Sequence, residues 1–305
     1  MKLVTYRINH TASSLGFIED NMIVDAEKLG HLKQSPLPNN MLDFIDLGEN
    51  GIKQAVQLLN TATKEELEEC SIPVANATLL APIPRPRKNI FGIGLNYTEH
   101  VAESARSLDT SKDLPQQPVI FSKPTTAVTG PETDIIHNQK VTQQLDYEVE
   151  LAVILGKGGK NIAKENALDC VYGYTIINDI SARDCRRAGQ WIVSKGQDTF
   201  APMGPVLVTK DEIKDPHNLN LSLKLNGVEK QNSNTKFMLF NINDLIHDLS
   251  TVFTLETGDI IATGTPAGVG AGRTPQEFMW PGDVVEATVE GIGTLKNTIV
   301  DSESL

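Results

Sequence analysis

The stretch Gln144-Leu145-Asp146-Tyr147-Glu148-Val149-Glu150-Leu151-Ala152-Val153-Ile154-Leu155-Gly156 decides how this chain is read. From Leu151 onward both faces are apolar, which predicts a strand over 147–155 that runs into a core. Its first half alternates. Successive strand side chains point to opposite faces, so Glu148 and Glu150 share one face, with Asp146 a step earlier, and Tyr147, Val149 and Leu151 take the other. Two like charges at i and i+2, at the mouth of a buried strand, repel unless something positive joins them. A hard divalent cation such as Mg²⁺ or Mn²⁺ would do so. The alternative is a solvated edge face.

Working outward, short strands separated by Gly and Pro turns are expected at 88–93, 118–122, 171–178, 204–208, 219–225, 259–263 and 283–289, with Asn226-Gly227 as a hairpin signal. Helices are fewer: 96–104, 163–168, 181–191 and 242–253. Many strands with few crossover helices predict an α+β, β-rich fold with a mixed sheet rather than a doubly wound one. Before residue 78 the pattern differs. Strands at 1–8 and 16–24 and helices at 41–48, 51–60 and 64–70 describe a small α/β module. Pro82, Pro84 and Pro86 then forbid helix and hold the chain extended. The expected division is a small N-terminal domain over 1–78 and a larger domain over 79–305. Residues 105–117 are polar and aperiodic, a loop length often used as a lid.

Other residues could carry chemistry. Asp179 closes an apolar strand just before Ser181, a candidate N-cap, so Asp179 is either a site carboxylate or a turn residue. His100 and Glu103, at i and i+3, share a helix face; a carboxylate beside an imidazole fixes its tautomer and raises its basicity, as a general base requires, though an exposed His/Glu pair has the same spacing. Lys195 lies among apolar, Gly and Pro residues, where an ammonium is partly desolvated or simply at the surface. Gly264, Gly268 and Gly270 follow a strand in a turn that lets a backbone approach a ligand. This turn is not a P-loop, because no Lys-Ser/Thr ends it, and Gly92-Ile93-Gly94 is not a dinucleotide fingerprint, because the third glycine position is Tyr97.

The 305 residues include 27 Lys+Arg and 39 Asp+Glu, a formal net charge of −12. Such a chain repels phosphate backbones and anionic lipid surfaces, so neither nucleic acid nor membrane is an expected partner. Cys70, Cys170 and Cys185 are odd in number and lack metal-type spacing, so a reducing, cytoplasmic setting without disulfides is expected. No apolar run approaches the ~18 residues that span a bilayer, and the N-terminus has no signal-peptide pattern.

The blocks Gly94-Leu95-Asn96-Tyr97 with His100, Phe121-Ser122-Lys123-Pro124, Asp146 to Leu151, Asn178 to Asp184 and Gly258 to Pro266 occur in this order between about Lys88 and Val300. Together they resemble the fumarylacetoacetate hydrolase family, and the layout with a small N-terminal module is similar to its bacterial hydrolases, isomerases and decarboxylases of 2-oxo acids. The resemblance implies a rolled mixed β-sheet catalytic domain and a homodimer. It implies that Glu148, Glu150 and Asp179 bind one Mg²⁺ or Mn²⁺, and that His100 and Glu103 are a catalytic dyad on a lid. Lys195 would be the cation beside the reacting carbon, and Lys123, Arg183 and Thr265 would contact the substrate.

The substrate would be a 2-oxo or β-diketo acid whose C–C bond is cleaved, by acylpyruvate-type hydrolysis or oxaloacetate-type decarboxylation. The alternatives are an isomerase or tautomerase of 2-oxo-ene-dioate intermediates in aromatic compound degradation, and a non-catalytic metabolite-binding protein. Some acylpyruvate-cleaving members carry Gln three residues after the arginine matching Arg183. Here that residue is Arg186, which favours a more anionic substrate such as a dicarboxylate.

Overall fold

A computed structural model describes residues 1–9, 11–107 and 113–304. Among the described residues, twelve strands form one sheet. Its main path runs Ser71–Pro73, Met22–Asp25, Ser14–Glu19, Lys2–Arg7, Ala201–Thr209, Val171–Asn178, Val149–Leu155, Ile260–Ala262, Ile90–Gly94 and Val119–Lys123. Most neighbours are antiparallel, but Ile260–Ala262 and Ile90–Gly94 run parallel, so the sheet is mixed. A second sheet, Val228–Asn234, Asn220–Leu225, Val284–Val289, Gly293–Asp301 and Asp134–His137, packs on one face of the first. The architecture is the strand-rich mixed fold expected.

The strand Val149–Leu155 lies at the centre of this arrangement and every residue in it is buried. Val149, Leu151, Val153 and Leu155 enter one core with Leu221, Leu223, Val285 and Leu295 of the second sheet. Ala152 and Ile154 enter the other with Leu3, Phe17, Leu29, Phe44 and Ile45 of the N-terminal segment. Each face therefore has its own core, which is why the sequence loses its alternation after Glu150. Glu148 and Glu150 continue the Ala152–Ile154 face to the N-terminal end of this central strand.

The N-terminal segment extends the same sheet. Lys2 and Leu3 pair with Val208 and Leu207, Tyr6 pairs with Leu79, and the Thr5 hydroxyl donates to the Pro82 carbonyl at 2.6 Å. The expected strand at 16–24 is instead a hairpin, Ser14–Glu19 with Met22–Asp25, turned at Asp20 and Asn21. Both have positive φ, 45° and 65°, a conformation that Asp and Asn tolerate. The expected helices 41–48, 51–60, 64–70 and 242–253 are present as Met41–Asp46, Gly48–Thr61, Lys64–Cys70 and Ile242–Val252. The 163–168 helix is a 3-10 turn, Lys164–Cys170.

The helix expected over 181–191 does not form. Ser181–Ala182 is a short strand, Arg183–Cys185 a single 3-10 turn, and the α-helix begins only at Ile192–Lys195. Tertiary bonds win here. The Arg183 amide donates to Gln144 O at 3.0 Å, and the Asp184 carboxylate accepts from the Gln143 amide and the Thr142 hydroxyl. Ala188 and Gly189 then take positive φ to turn the chain. Ser181 is no N-cap; its hydroxyl donates to Asp179 O. Of the polar segment 105–117, residues 105–107 end the helix Thr98–Ser107 and 108–112 lie outside the described residues. Cys70, Cys170 and Cys185 are buried free thiols, and no helix among the described residues is long and apolar enough to cross a membrane.

Candidate metal centre and active site

The backbone brings the three carboxylates together by simple means. Asp179 directly follows the strand Val171–Asn178, whose partner is Val149–Leu155, with Asn178 opposite Val149. The Asp179 amide donates to Glu148 O at 2.8 Å, and the Glu148 amide donates to Asn178 Oδ1 at 2.9 Å. Asp179 and Glu148 thus stand side by side, and the strand's two-residue period adds Glu150. One oxygen from each of Glu148, Glu150 and Asp179 lies within 4.8 Å of the others, and all three residues are buried.

Cations surround this trio. The Lys195 ammonium donates to Glu148 Oε2 and to Asp179 Oδ2, both at 2.6 Å. Lys123, fully buried behind Asp179, pairs with Asp179 Oδ1 and donates to Ile180 O at 3.3 Å. Arg183 lies between Asp146 Oδ2 at 2.8 Å and Glu148 Oε1 at 2.7 Å. Among the described residues Glu150 receives only the Gly264 amide, at 2.9 Å. The charges respond accordingly. Burial alone would raise Glu148, but the Lys195 ammonium and the Arg183 guanidinium hold its carboxyl well below the usual range. Burial, then the adjacent Asp179 and Glu148 charges, push Glu150 well above it.

Four carboxylates, Asp146, Glu148, Glu150 and Asp179, face three cations, so the cluster lacks one positive charge, and the lack falls on Glu150. A hard cation with oxygen ligands fits this donor set; a soft metal, which takes thiolate, does not.

Above the trio the helix Thr98–Ser107 supplies the dyad. His100 Nδ1 lies 3.1 Å from Glu103 Oε2. A carboxylate only accepts, so Nδ1 carries the proton and Nε2 is the accepting nitrogen. Nε2 lies 3.5 Å from Ser104 Oγ. Glu103 is oriented in turn by the Gly268 amide, at 3.0 and 3.2 Å from its two oxygens. The same Gly-rich turn donates the Gly270 and Ala271 amides to Asp146, at 2.7 and 2.9 Å. One loop therefore positions Glu103, Asp146 and Glu150 through its backbone.

A narrow cleft opens between these groups, lined by His100, Glu148, Arg183, Lys195, Thr265 and Arg186. His100, Glu103, Lys195, Arg183 and Thr265 therefore converge with the trio. Lys123 stands apart from the cleft wall, with its contacts on Asp179 and Ile180. The Thr265 hydroxyl donates to Val149 O at 2.9 Å and accepts from Gln231 at 2.8 Å. Gln231 was not foreseen. It also accepts from the Val149 amide at 3.0 Å and so ties the Gly-rich turn to the central strand. It sits in the polar run Val228–Asn234, whose sequence gives no apolar period. The loop amides left a fainter trace, the density of glycines after Thr263.

Comparison with known proteins agrees with this geometry. The family model for the fumarylacetoacetate (FAA) hydrolase C-terminal region matches residues 89–300. Oxaloacetate tautomerase YisK of Bacillus subtilis (strain 168) is 42% identical over 287 residues, covering 92% of this chain and 94% of its own. The fumarylacetoacetate hydrolase (EaFAH) of psychrophilic Exiguobacterium antarcticum has a TM-score of 0.80 at 32% identity, over 99% of this chain and 100% of that one. Maleylpyruvate hydrolase from Sphingobium sp. SYK-6, solved in complex with manganese (II) ion and pyruvate, has a TM-score of 0.75 at 27% identity, over 99% of both chains. With the buried carboxylate trio, the His100–Glu103 dyad and matches over almost its whole length, this chain belongs to the fumarylacetoacetate hydrolase family and is an enzyme of that kind.

Proposed function

We propose that this protein is a divalent-metal-dependent enzyme that moves a proton at C3 of a short 2-oxo acid, with keto–enol tautomerisation of an oxaloacetate-type substrate as its reaction. The observation that carries the reading is the buried trio of Glu148, Glu150 and Asp179 beside the His100–Glu103 dyad, with His100 and Glu148 lining one cleft. Mg²⁺ or Mn²⁺ held by the trio would polarise the carboxylate and 2-oxo oxygens of the substrate and stabilise charge developing on them.

The chain's own residues do the rest. His100, held by Glu103, takes the C3 proton on Nε2. Lys195 spends two of its three N–H groups on Glu148 and Asp179 and has one for the C2 oxygen. A proton leaves C3 and a proton arrives on the C2 oxygen, so nothing else is gained or lost. The tautomerase relative supports this outcome. C3–C4 cleavage, by decarboxylation or hydrolysis, is the second reading; the maleylpyruvate hydrolase neighbour supports it, and the same groups serve it.

The deciding experiment follows oxaloacetate with Mn²⁺ by NMR. Enol–keto interconversion above the uncatalysed rate, abolished by EDTA and with carbon content unchanged, is the expected result. Release of CO₂ at the same rate would move the assignment to decarboxylation, and no acceleration of either process would overturn the reading. A homodimer is part of the proposal, and a monomer by light scattering would contradict it.

A further inference from the structure

Each cation at the carboxylate trio already has a protein partner: Lys123 has Asp179, Lys195 has Glu148 and Asp179, and Arg183 has Asp146 and Glu148. Arg186 differs. It is half-buried in the cleft wall, yet among the described residues it forms no hydrogen bond and no ion pair. What it does have is a platform. Its guanidinium lies 4.6 Å from the centre of the Trp191 ring, and Trp191 packs on Phe121 with centroids 5.3 Å apart. Trp191 also fills the space over Gly94, where a Cβ would come within 2.5 Å of the ring. The indole is therefore fixed, and the guanidinium stacked on it is pre-oriented while its in-plane N–H groups stay unspent.

A guanidinium does not lose its proton in a protein, so burying it beside a second one, Arg183, demands an anion. Among the described residues no carboxylate pairs with Arg186, and the cleft it faces is the one that takes the substrate. We propose that Arg186 is the specificity-determining residue of this enzyme, binding the distal carboxylate of a short 2-oxo dicarboxylate while the 2-oxo-acid end sits at the trio. The inference rests on the 2-oxo-acid reading above. It adds which residue holds the second carboxylate, so that the preference for a dianionic substrate is set on the turn 183–191, outside the metal ligands.

Two measurements on Arg186→Gln test it, both with Mn²⁺ present. One is kcat/KM for oxaloacetate, read as enol–keto interconversion or CO₂ release. The other is the affinity for oxalate by calorimetry, since oxalate occupies only the 2-oxo-acid end. The expected result is a loss of about ten- to hundredfold in kcat/KM, the scale of a charge-assisted hydrogen bond, with oxalate affinity within about twofold of wild type. Arg186→Lys should recover part of the loss, because it restores the charge without the planar fork.

Equal weakening towards oxalate would overturn the proposal, since Arg186 would then act on the whole site. Unchanged kcat/KM would overturn it directly. A wild-type enzyme that binds oxalate with Mn²⁺ but leaves oxaloacetate untouched would refute the oxaloacetate-type substrate as well. That outcome is read without any variant, so the two failures are separable.

Discussion

Glu150 lies in, and Glu148 and Asp179 lie directly beside, the ends of two strands with sheet neighbours on both sides, whereas His100, Glu103 and Arg186 belong to a ten-residue helix and a turn that reach the sheet through side chains and loop amides. The strand group is anchored by main-chain ladders and by cores on both faces. The bonds that reach the helix and turn group include the Gly268 amide on Glu103, the Arg183 amide on Gln144, the Asp184 carboxylate on Thr142 and Gln143, and the ring stack under Arg186. The contrast follows from what each group must do. Ligands for a cation need fixed geometry whatever the substrate, while a proton-transfer base and a specificity arm must admit a substrate and release it. Fixed chemistry on the sheet with adjustable selection on the wall lets one scaffold host tautomerases, isomerases and hydrolases.

The largest effect is expected from breaking the strand-borne side. Glu148→Gln with Glu150→Gln keeps shape and burial but removes two of the three anionic ligands. Calorimetric Mn²⁺ binding should vanish, and turnover should fall by about 10³-fold or more, as when a group that stabilises transition-state charge is removed. The change relieves like-charge repulsion around Glu150 but takes a partner from the buried Lys195 and Arg183, so unfolding is followed alongside and Mn²⁺ binding is compared where both proteins are folded. Retention of Mn²⁺ binding by the double variant would refute the assignment of the metal ligands.

The contrast also governs what could be read in advance. Glu148 and Glu150 were legible because strand periodicity is local: two residues apart means one face, whatever the rest of the chain does. Asp179 could be named as a strand-end carboxylate, but its meeting with Glu148 depends on the pairing of Val171–Asn178 with Val149–Leu155, which no spacing encodes. The helix expected over 181–191 does not form because the conformation there is set by distant partners, Gln144 for the Arg183 amide and Thr142 and Gln143 for Asp184. Gln231 gave no signal at all, since its role lies in closing the bonds of Val149 and Thr265. What tertiary bonds decide, local pattern cannot show.

A gentler break falls on the wall. Gly272 stands against Glu103, and a Cβ at position 272 would come within 2.2 Å of the Glu103 carboxyl carbon. Glu103 is a flexible side chain and Gly272 has no positive φ, so Gly272→Ala moves the carboxylate at little cost to the fold. The moved carboxylate loses the Gly268 amide and its hold on His100 Nδ1. Turnover should fall by about 10- to 100-fold, the usual scale for groups that orient a functional residue, with Mn²⁺ affinity and melting temperature nearly unchanged. A loss of Mn²⁺ affinity would show that wall and strands are not separate after all.

The smallest effect on turnover, though a large one on stability, is expected at Leu3. It is fully buried in the core that receives Ala152 and Ile154, and it pairs with Leu207 in the sheet. Leu3→Ala should cost about 2–5 kcal/mol of unfolding free energy, read by denaturant titration. The cavity opens on the same face of the sheet as Glu148 and Glu150, so this variant asks whether softening the core reaches the ligands. The bonding argues that it does not: the trio is fixed by the main-chain bond from Asp179 to Glu148 and by the Gly264 amide on the Glu150 carboxylate, neither of which involves Leu3. Turnover per folded molecule should therefore stay within about twofold of wild type, the comparison being made at a temperature where both proteins are folded. A parallel fall in Mn²⁺ affinity would mean instead that the N-terminal strands help to shape the metal centre.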